Sequence, residues 1–463
     1  MPALADEEPT PTEQLLHDVV RLGALAQSPP ITAHLQLLQA LIEIDLGMTA
    51  AAQARLDTIH GSITVAETVE QLRLLLALRR RQMEGRAIPS AAPSTPLPVL
   101  LEQERLLTLA LQQQAAGDSI GAIALAGRLR RETLFLSPAT LDRALLLVQA
   151  GQVDYAIDLL QVLGNSAAED ESMERLRDRA NLVLARLLLA RGLDDVALGV
   201  VERIRLDGPD GSAALLLLGW VKLESAGPDA ALAPWMELSL RDGNDPAVLE
   251  GRLALPLALS RQAPSQQALD HLQAAIDEYR QRLVLLDTAL AELTTSTDDA
   301  RWLTLGEALR HGGSARASTL AEEHATLRAL AQRWPVFDPA QQYDAEPLRA
   351  ALLLRLRELE WALARDSSKA MWRELYALLH RYLDDAFAAE RVTEGKRPLD
   401  AAPFAAERLR LDEAALQMRH HYRDELLIAL QLQRRRVSRY LEQARFSVPK
   451  LYEQALLQQL EGS

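Results

Sequence analysis

The sequence predicts an all-α protein in which an α-solenoid of helical hairpins is followed by a C-terminal module with a long terminal helix. Three observations lead to this fold class. The 463-residue chain is 48% hydrophobic, mostly through Ala and Leu, which are strong helix formers. Aromatic residues, which favour strands, make up only 4%. A glycine and alanine motif recurs at nearly regular intervals over residues 31–280.

Each copy of the motif marks the turn of one predicted hairpin. Glycine tolerates the positive φ that ends a helix, and an alanine four or five residues later lets the next helix pack closely against the first. The copies lie 34 to 41 residues apart, with one more copy 70 residues upstream of Gly117. The pairs are Gly47/Ala52, Gly117/Ala122, Gly151/Ala156, Gly192/Ala197, Gly227/Ala231 and, with alanine in the glycine position, Ala263/Ala268.

Two further patterns describe the helices on either side of each turn. Apolar residues follow the alanine by one, four and seven positions, as at Leu198, Val201 and Ile204, so they share one face of the second helix. A second small residue precedes the turn by about two helical turns, which predicts another close approach of the paired helices. These small residues are Ala40, Ala110, Ala144, Ala185 and Gly219.

These patterns together resemble the tetratricopeptide repeat (TPR) family. Ala185, Gly192, Ala197, Leu198 and Pro209 match the family's small, glycine, alanine, aliphatic and proline positions in one unit. The departures from the family pattern are Leu129, Leu163 and Ile204 at an alanine position and Pro256 at the small position. The resemblance covers roughly residues 31–280 and implies an array of stacked helical hairpins that binds a partner.

The chain beyond residue 280 follows a different pattern. Longer helical stretches replace the repeat, and most of the aromatic residues lie there, which predicts a thicker core. Leu430, Val437, Ala444 and Leu451 recur every seven residues, so the last segment is predicted to form a long helix packed against another helix.

Five segments follow from these patterns. A segment with four prolines and no periodicity interrupts the array and is predicted to be a linker. The predicted segments are an N-terminal tail at 1–30, N-terminal hairpins at 31–85, the proline-rich linker at 86–98, the TPR-like array at 99–280 and the C-terminal module at 281–463.

Charge and cysteine content exclude several classes of protein. The chain has 50 basic and 64 acidic residues, a net charge of −14, which disfavours nucleic acid and anionic lipid as partners. The absence of cysteine excludes a disulfide scaffold, a zinc ribbon and a cysteine nucleophile. No apolar run reaches the roughly 18 residues that a transmembrane helix needs. Because no phosphate-binding loop or dinucleotide fingerprint is present either, we expect no cofactor.

The N-terminus and the composition predict a compartment. Ala3, Leu4 and Ala5 resemble the small-residue end of a trimmed export signal, and a long chain without cysteine is typical of an oxidising compartment. We therefore expect a periplasmic protein. The alternative is a cytoplasmic protein that begins naturally at Met1. The large excess of arginine over lysine is typical of coding in a GC-rich bacterial genome.

Two short motifs resemble catalytic or metal-binding sites. Residues 117–121 read G-x-S-x-G, but the esterase motif of that form needs a preceding strand, whereas a helical pattern precedes it here. His420 and His421 lie one turn before Asp424 and Glu425, which are too few ligands for a closed metal site. We expect a turn between helices at the first motif and an exposed helix face at the second. The sequence thus predicts no catalytic residue, no metal site and no enzyme.

One basic cluster stands out in the acidic chain. Arg434, Arg435, Arg436, Arg439 and Arg445 lie on the terminal helix, and we expect them to form a solvated face. An anionic partner or a lipid surface is the alternative.

The TPR resemblance implies a partner-binding groove lined by the first helix of each hairpin. The residues selected by the family's groove positions are Glu104, Leu107, Leu111, Gln114, Arg179, Arg186, Trp220 and Leu223. The groove would accept a helix or an apolar segment, with Arg179, Arg186 and Trp220 determining specificity. Several of these leucines would instead pack between hairpins if the groove lies elsewhere.

The leading functional hypothesis is a non-enzymatic scaffold or adaptor of a bacterial cell-envelope assembly, with protein partners and a possible homo-oligomer through the C-terminal helices. A cytosolic adaptor or co-chaperone is the second hypothesis. A helical enzyme or ligand sensor, with a pocket in the aromatic-rich C-terminal module, is the third. The first two rest on the fold class, because stacked hairpins usually serve binding.

Overall fold

The computed structural model of the chain describes residues 10–26, 28–129, 138–149, 151–167, 170–241, 243, 245–262, 266–295, 315–334, 342–366, 369–389 and 396–461. Most of these residues lie in 18 helices, so the all-α prediction is confirmed. The only strands in the described ranges, β1 (Gln342–Tyr343) and β2 (Arg397–Pro398), form one short antiparallel pair.

The helices follow the predicted hairpins. They are α1 (Pro11–Leu25), α2 (Pro29–Asp45), α3 (Thr49–Leu56), α4 (Ile63–Glu84), α5 (Val99–Ala115), α6 (Ser119–Gly127), α7 (Pro138–Gln149), α8 (Val153–Gly164), α9 (Glu171–Ala190), α10 (Asp194–Val201), α11 (Gly211–Ala226), α12 (Pro228–Ser239), α13 (Pro246–Gln262), α14 (Gln266–Thr295), α15 (Ala315–Arg333), α16 (Ala345–Leu363), α17 (Ala370–Ala389) and α18 (Ala402–Glu461).

The turn residues adopt the conformation that the sequence predicts. All five turn glycines, Gly47, Gly117, Gly151, Gly192 and Gly227, have φ between 70° and 89°. Each of the six motif alanines is buried, with an exposed fraction of at most 2%. Ala263, the alanine in a glycine position, lies outside the described residues. Because left-handed turns and buried alanines recur together, the TPR-like hairpins are confirmed.

The chain forms two compact units. The first unit comprises residues 1–146 and 320–421, and the second comprises residues 147–319 and 422–463. Helix α18 contributes its first 20 residues to the first unit and the rest to the second. The segment boundaries expected from the sequence stay a prediction, although residues 86–98 indeed form no helix in the structure.

The first unit packs its N-terminal helices against helices from the C-terminal part of the chain. Helix α1 packs on α2 and α16, and α2 packs on α17. The sequence predicts a tail for residues 1–30, but the structure places helix α1 inside this range. Thr10 and Glu13 form a reciprocal capping box at its start, and Leu15 and Leu16 are fully buried. Residues 1–9, with the candidate export signal, lie outside the described residues.

A buried ion-pair network joins distant parts of the chain within the first unit. Arg55 on α3 binds Glu43 at 2.5 Å and Glu407 at 3.2 Å. Glu407 also accepts hydrogen bonds from Gln39 and from Arg410, both at 2.9 Å. Glu43 and Glu407 are fully buried. Two buried carboxylates therefore face the mostly buried guanidinium group of Arg55 and the partly exposed one of Arg410, so the charges balance.

The second unit contains the hairpins α9–α10, α11–α12 and α13–α14 together with α8. Successive helices of this series pack on each other, and α11 also packs on α9 and α13. Leu430, Val437, Ala444 and Leu451 are all buried on one face of α18, as the seven-residue spacing predicts. Opposite this face, large apolar side chains are exposed at Ile428, Leu432 and Phe446.

Candidate functional site

The residues predicted to line a groove belong to both units. Glu104, Leu107, Leu111 and Gln114 lie on α5 in the first unit. Arg179 and Arg186 lie on α9 and Trp220 and Leu223 on α11, all in the second unit. Each set is therefore described within its own unit.

The α5 set is mostly enclosed. Leu107 is buried in a hydrophobic cluster with residues of α6 and α7, so it packs between helices and does not line a groove. Burial raises the pKa of Glu104, and the nearby charge of Asp142 raises it further. Gln114 is half-buried, and Leu111 is exposed. Leu111 and the accessible parts of Glu104 and Gln114 present surface to a partner here, and Leu107 does not.

The two arginines of α9 differ in their surroundings. Arg179 forms an ion pair with Asp210, at the start of α11, at 2.7 Å. Arg186, two turns further along the same helix face, is exposed and has no hydrogen bond or ion pair to any described residue. Partial desolvation lowers the pKa of Arg186, and the charge of Arg179 lowers it further, against the opposing charges of Glu250 and Asp210.

The two predicted groove residues on α11 differ: Leu223 packs inside the unit, and Trp220 is partly accessible. Leu223 is buried in the hydrophobic cluster between α11, α12 and α13, so it packs rather than lines a groove. Trp220 is half-buried and lies edge-on against the fully buried Trp235, with ring centroids 4.9 Å apart. The indole of Trp220 thus rests on a rigid support while part of it faces solvent.

Two residues that the sequence analysis did not select complete this region. Glu250 on α13 accepts a hydrogen bond from the Tyr440 hydroxyl of α18 at 3.1 Å. Burial raises the pKa of Tyr440 to about 12, and the charge of Glu250 contributes. Glu250 is six residues before Pro256, the small-residue position of its unit, so the family's groove rule would have found it in the fifth hairpin. No sequence signal pairs it with Tyr440.

The region formed by Arg179, Arg186, Trp220 and Glu250 is the candidate partner site. It has two cations on one helix face, and one of them, Arg186, forms no ion pair with any described residue of the second unit. It also has a supported aromatic edge and a carboxylate that already accepts a hydrogen bond. These groups can bind a carboxylate next to an apolar side chain.

The serine motif has a structural role, and the candidate metal motif lies on helix α18. Ser119 is the first residue of α6, after the helix α5, and Asp118 caps α6 by accepting the Gly121 amide at 2.9 Å. The predicted turn between helices is confirmed. In the described ranges, no group of three His, Cys, Asp or Glu residues is placed to hold a metal ion. None of the described helices has the length and apolar composition that spanning a bilayer requires.

The first unit also contains a cavity of about 370 Å³ beside α1. His17 and Trp334 line it with their rings edge to face, 5.6 Å apart. Glu13 pairs with Arg333 at 2.8 Å at its border. Burial lowers the pKa of His17 to about 4, helped by the charges of Arg21 and Arg355.

We expect the neutral state of His17 to make the protein sensitive to acid. The pKa of His17 is about 4 in the folded protein and about 6.5 in the unfolded chain. Its contribution to the free energy of unfolding is therefore complete above pH 6.5 and is lost as the pH falls towards 4. Between about pH 7.5 and 5, the free energy of unfolding of the wild type should fall by about 2 kcal/mol more than that of His17→Gln. Denaturant unfolding at both pH values measures this. His60→Gln, at an exposed histidine, is the control, and an unchanged pH profile in His17→Gln contradicts the assignment.

Comparison with known proteins finds similarity in structure only. No family model and no curated protein matches the chain. Solved structures match it with low scores. The TPR-like repeats of a putative kinesin light chain from Podosopora anserina are 20% identical, cover 37% of this chain and 92% of their own, and have a TM-score of 0.31.

Two Rap structures match a longer part of the chain. The apo form of RapI is 10% identical over 76% of this chain and 98% of its own, with a TM-score of 0.40. A Rap protein complexed with Competence and Sporulation Factor is 14% identical over the same shares, with a TM-score of 0.32. Structural similarity this low assigns neither the partners nor the activities of these proteins to this chain. By its own glycine turns and buried alanines, the chain is a TPR-like helical repeat protein.

Proposed function

We propose that the chain is a non-enzymatic scaffold or adaptor that binds a segment of a protein partner along the first helices of its second-unit hairpins. The observation that carries the proposal is Arg186. It is an exposed cation beside another cation, with no ion pair to any described residue. A carboxylate from a partner would relieve the repulsion between Arg186 and Arg179 and form a charge-assisted hydrogen bond.

Within the described chain, no neighbouring group supplies a carboxylate that pairs directly with Arg186. Arg179 is already paired with Asp210, and Glu250 already accepts the Tyr440 hydroxyl. Trp220 adds an aromatic surface held in place by Trp235. Supported aromatic and arginine side chains are the residue types that carry most of the energy at protein interfaces. The preferred ligand is therefore a helix or apolar segment with an acidic residue.

The test is recovery of partners from the native host with the full chain as bait. We expect Arg186→Ala combined with Trp220→Leu to reduce crosslinked partner by at least about tenfold, which corresponds to about 1.4 kcal/mol. The matched control is Arg203→Ala combined with Tyr155→Ala, which changes an exposed arginine in the turn after α10 and an exposed aromatic on α8. Equal recovery by both double variants, with unchanged thermal melting, would remove the assignment.

The compartment is a further part of the proposal. A chain of this length without cysteine is consistent with an assembly of the bacterial cell envelope, and a cytosolic adaptor or co-chaperone is the alternative. The same crosslinking experiment distinguishes them when the host is fractionated first. Recovery of bait and partner in the envelope fraction supports the first, whereas recovery only in the cytosol overturns it.

A further inference from the structure

A second cavity in the first unit, of about 240 Å³, is lined by both apolar and charged residues. Helices α1, α2 and α18 form its walls. Its apolar lining residues are Val19, Val20, Ala24, Leu35, Pro403 and Ala406. Gln39, Arg55, Glu407 and Arg410, which belong to the buried ion-pair network, line the polar side.

The carboxylate of Glu407 is satisfied on one oxygen only. Its Oε2 atom accepts hydrogen bonds from Gln39 at 2.9 Å, Arg55 at 3.2 Å and Arg410 at 2.9 Å. Its Oε1 atom is buried and accepts none from any described group. Glu407 itself is 0% exposed. A buried acceptor without a donor costs about 1–3 kcal/mol, so this atom favours a ligand that donates.

The charges around the cavity select the kind of donor. Glu43 and Glu407 balance Arg55 and Arg410, so a cationic ligand adds an unbalanced charge next to two guanidinium groups. An anionic ligand has no proton to give to Glu407 Oε1. A neutral donor is free of both penalties, and the apolar wall matches a short aliphatic body.

We propose that this cavity binds a small neutral aliphatic molecule with a primary amide, whose N–H group donates to Glu407 Oε1. The carbonyl of the ligand's amide faces a site that also contains guanidinium donors. The N–H group of the amide thus meets an acceptor, and its carbonyl meets donors. The apolar body lies along α1 and α2. This site is separate from the proposed partner site, which lies in the second unit.

Gly23 on α1 offers a way to block the cavity without disturbing the network. It lines the cavity, and a Cβ atom placed there meets no heavy atom within 4 Å. Gly23→Leu should therefore fill the cavity and keep the fold. Gly199 on α10 is the matched control, because it is a helical glycine whose added Cβ also meets no atom within 4 Å.

The experiment uses the full chain and three probes of equal length: valeramide, pentylammonium and valerate. Saturation-transfer NMR should show valeramide bound, with a dissociation constant on the order of millimolar, as expected for a ligand this small. We expect binding at least about tenfold weaker for the charged probes and for Gly23→Leu, and unchanged binding for Gly199→Leu.

Three results would overturn the proposal. The first is no saturation transfer to valeramide, as when the cavity holds water only. The second is equal valeramide binding by Gly23→Leu and the wild type. The third is tighter binding of pentylammonium than of valeramide. Loss of partner recovery in the crosslinking experiment concerns Arg186 and Trp220 and is a separate outcome.

Discussion

Arg55→Met is expected to lower the free energy of unfolding by about 3–5 kcal/mol, the cost of leaving a buried charge without its partner. The side chains of Glu43 and Glu407 are 0% and 1% exposed, and Arg55 binds both. After the substitution, Glu407 keeps Arg410, but Glu43 keeps no ion pair within the described residues. Methionine preserves most of the aliphatic volume, so the change isolates the charge.

The matched control for this prediction is Arg73→Met. Arg73 pairs with Asp57 at 3.1 Å, but both side chains are more than half exposed. An exposed pair contributes about 0–1 kcal/mol because water screens it. Denaturant unfolding of both variants provides the comparison. If the two substitutions cost the same, the buried network does not stabilise the fold as described.

The pH dependence of Arg55→Met identifies the carboxylate involved. Burial raises the pKa of Glu43, and Arg55 opposes this shift. Because the folded pKa is above the unfolded value, the stabilisation that comes from protonated Glu43 is complete below the unfolded pKa of about 4.5 and is lost as the pH rises through the folded pKa. The deficit of Arg55→Met should therefore be larger near pH 8 than near pH 5. An equal deficit at both values would exclude Glu43 as the responsible group.

Local signals made the hairpins predictable from sequence. A positive φ at Gly192 and close packing at Ala197 depend on residues within one turn of each other, so their pattern identifies the motif without knowledge of the rest of the chain. The burial of Val437 on α18 is predictable for the same reason, since the seven-residue spacing defines one helix face.

Contacts between distant residues were not predictable in the same way. Arg55 and Glu407 are 352 residues apart, and nothing in either neighbourhood identifies the other as its partner. Helix α1 lies in the segment where the sequence analysis expects a tail, although Thr10 and Glu13 carry a capping signal. In the candidate site, Arg186 is exposed and Trp220 is half-buried, whereas Leu107 and Leu223 are buried in hydrophobic clusters, so the groove itself stays a prediction.

Gly219→Ala is expected to lower the free energy of unfolding by about 2–4 kcal/mol, which is large for the addition of one methyl group. A Cβ atom on Gly219 would lie 2.1 Å from Nε1 and 2.4 Å from Cε2 of Trp235. The indole cannot move easily, because it is 1% exposed and its Nε1–H group donates to the Leu216 carbonyl at 3.1 Å. Either the hydrogen bond or the spacing of α11 and α12 must give way.

Helix propensity alone predicts the opposite sign. Alanine favours a helix over glycine by about 1 kcal/mol, so Gly199→Ala on α10, where the added Cβ meets no atom within 4 Å, should raise the unfolding free energy by roughly 0.5–1 kcal/mol. Trp235→Phe removes the indole nitrogen and should recover part of the loss when combined with Gly219→Ala. Denaturant unfolding of the three single variants and the double variant yields the coupling energy between the two positions. A coupling near zero would mean that the close approach of α11 and α12 does not depend on glycine at this position.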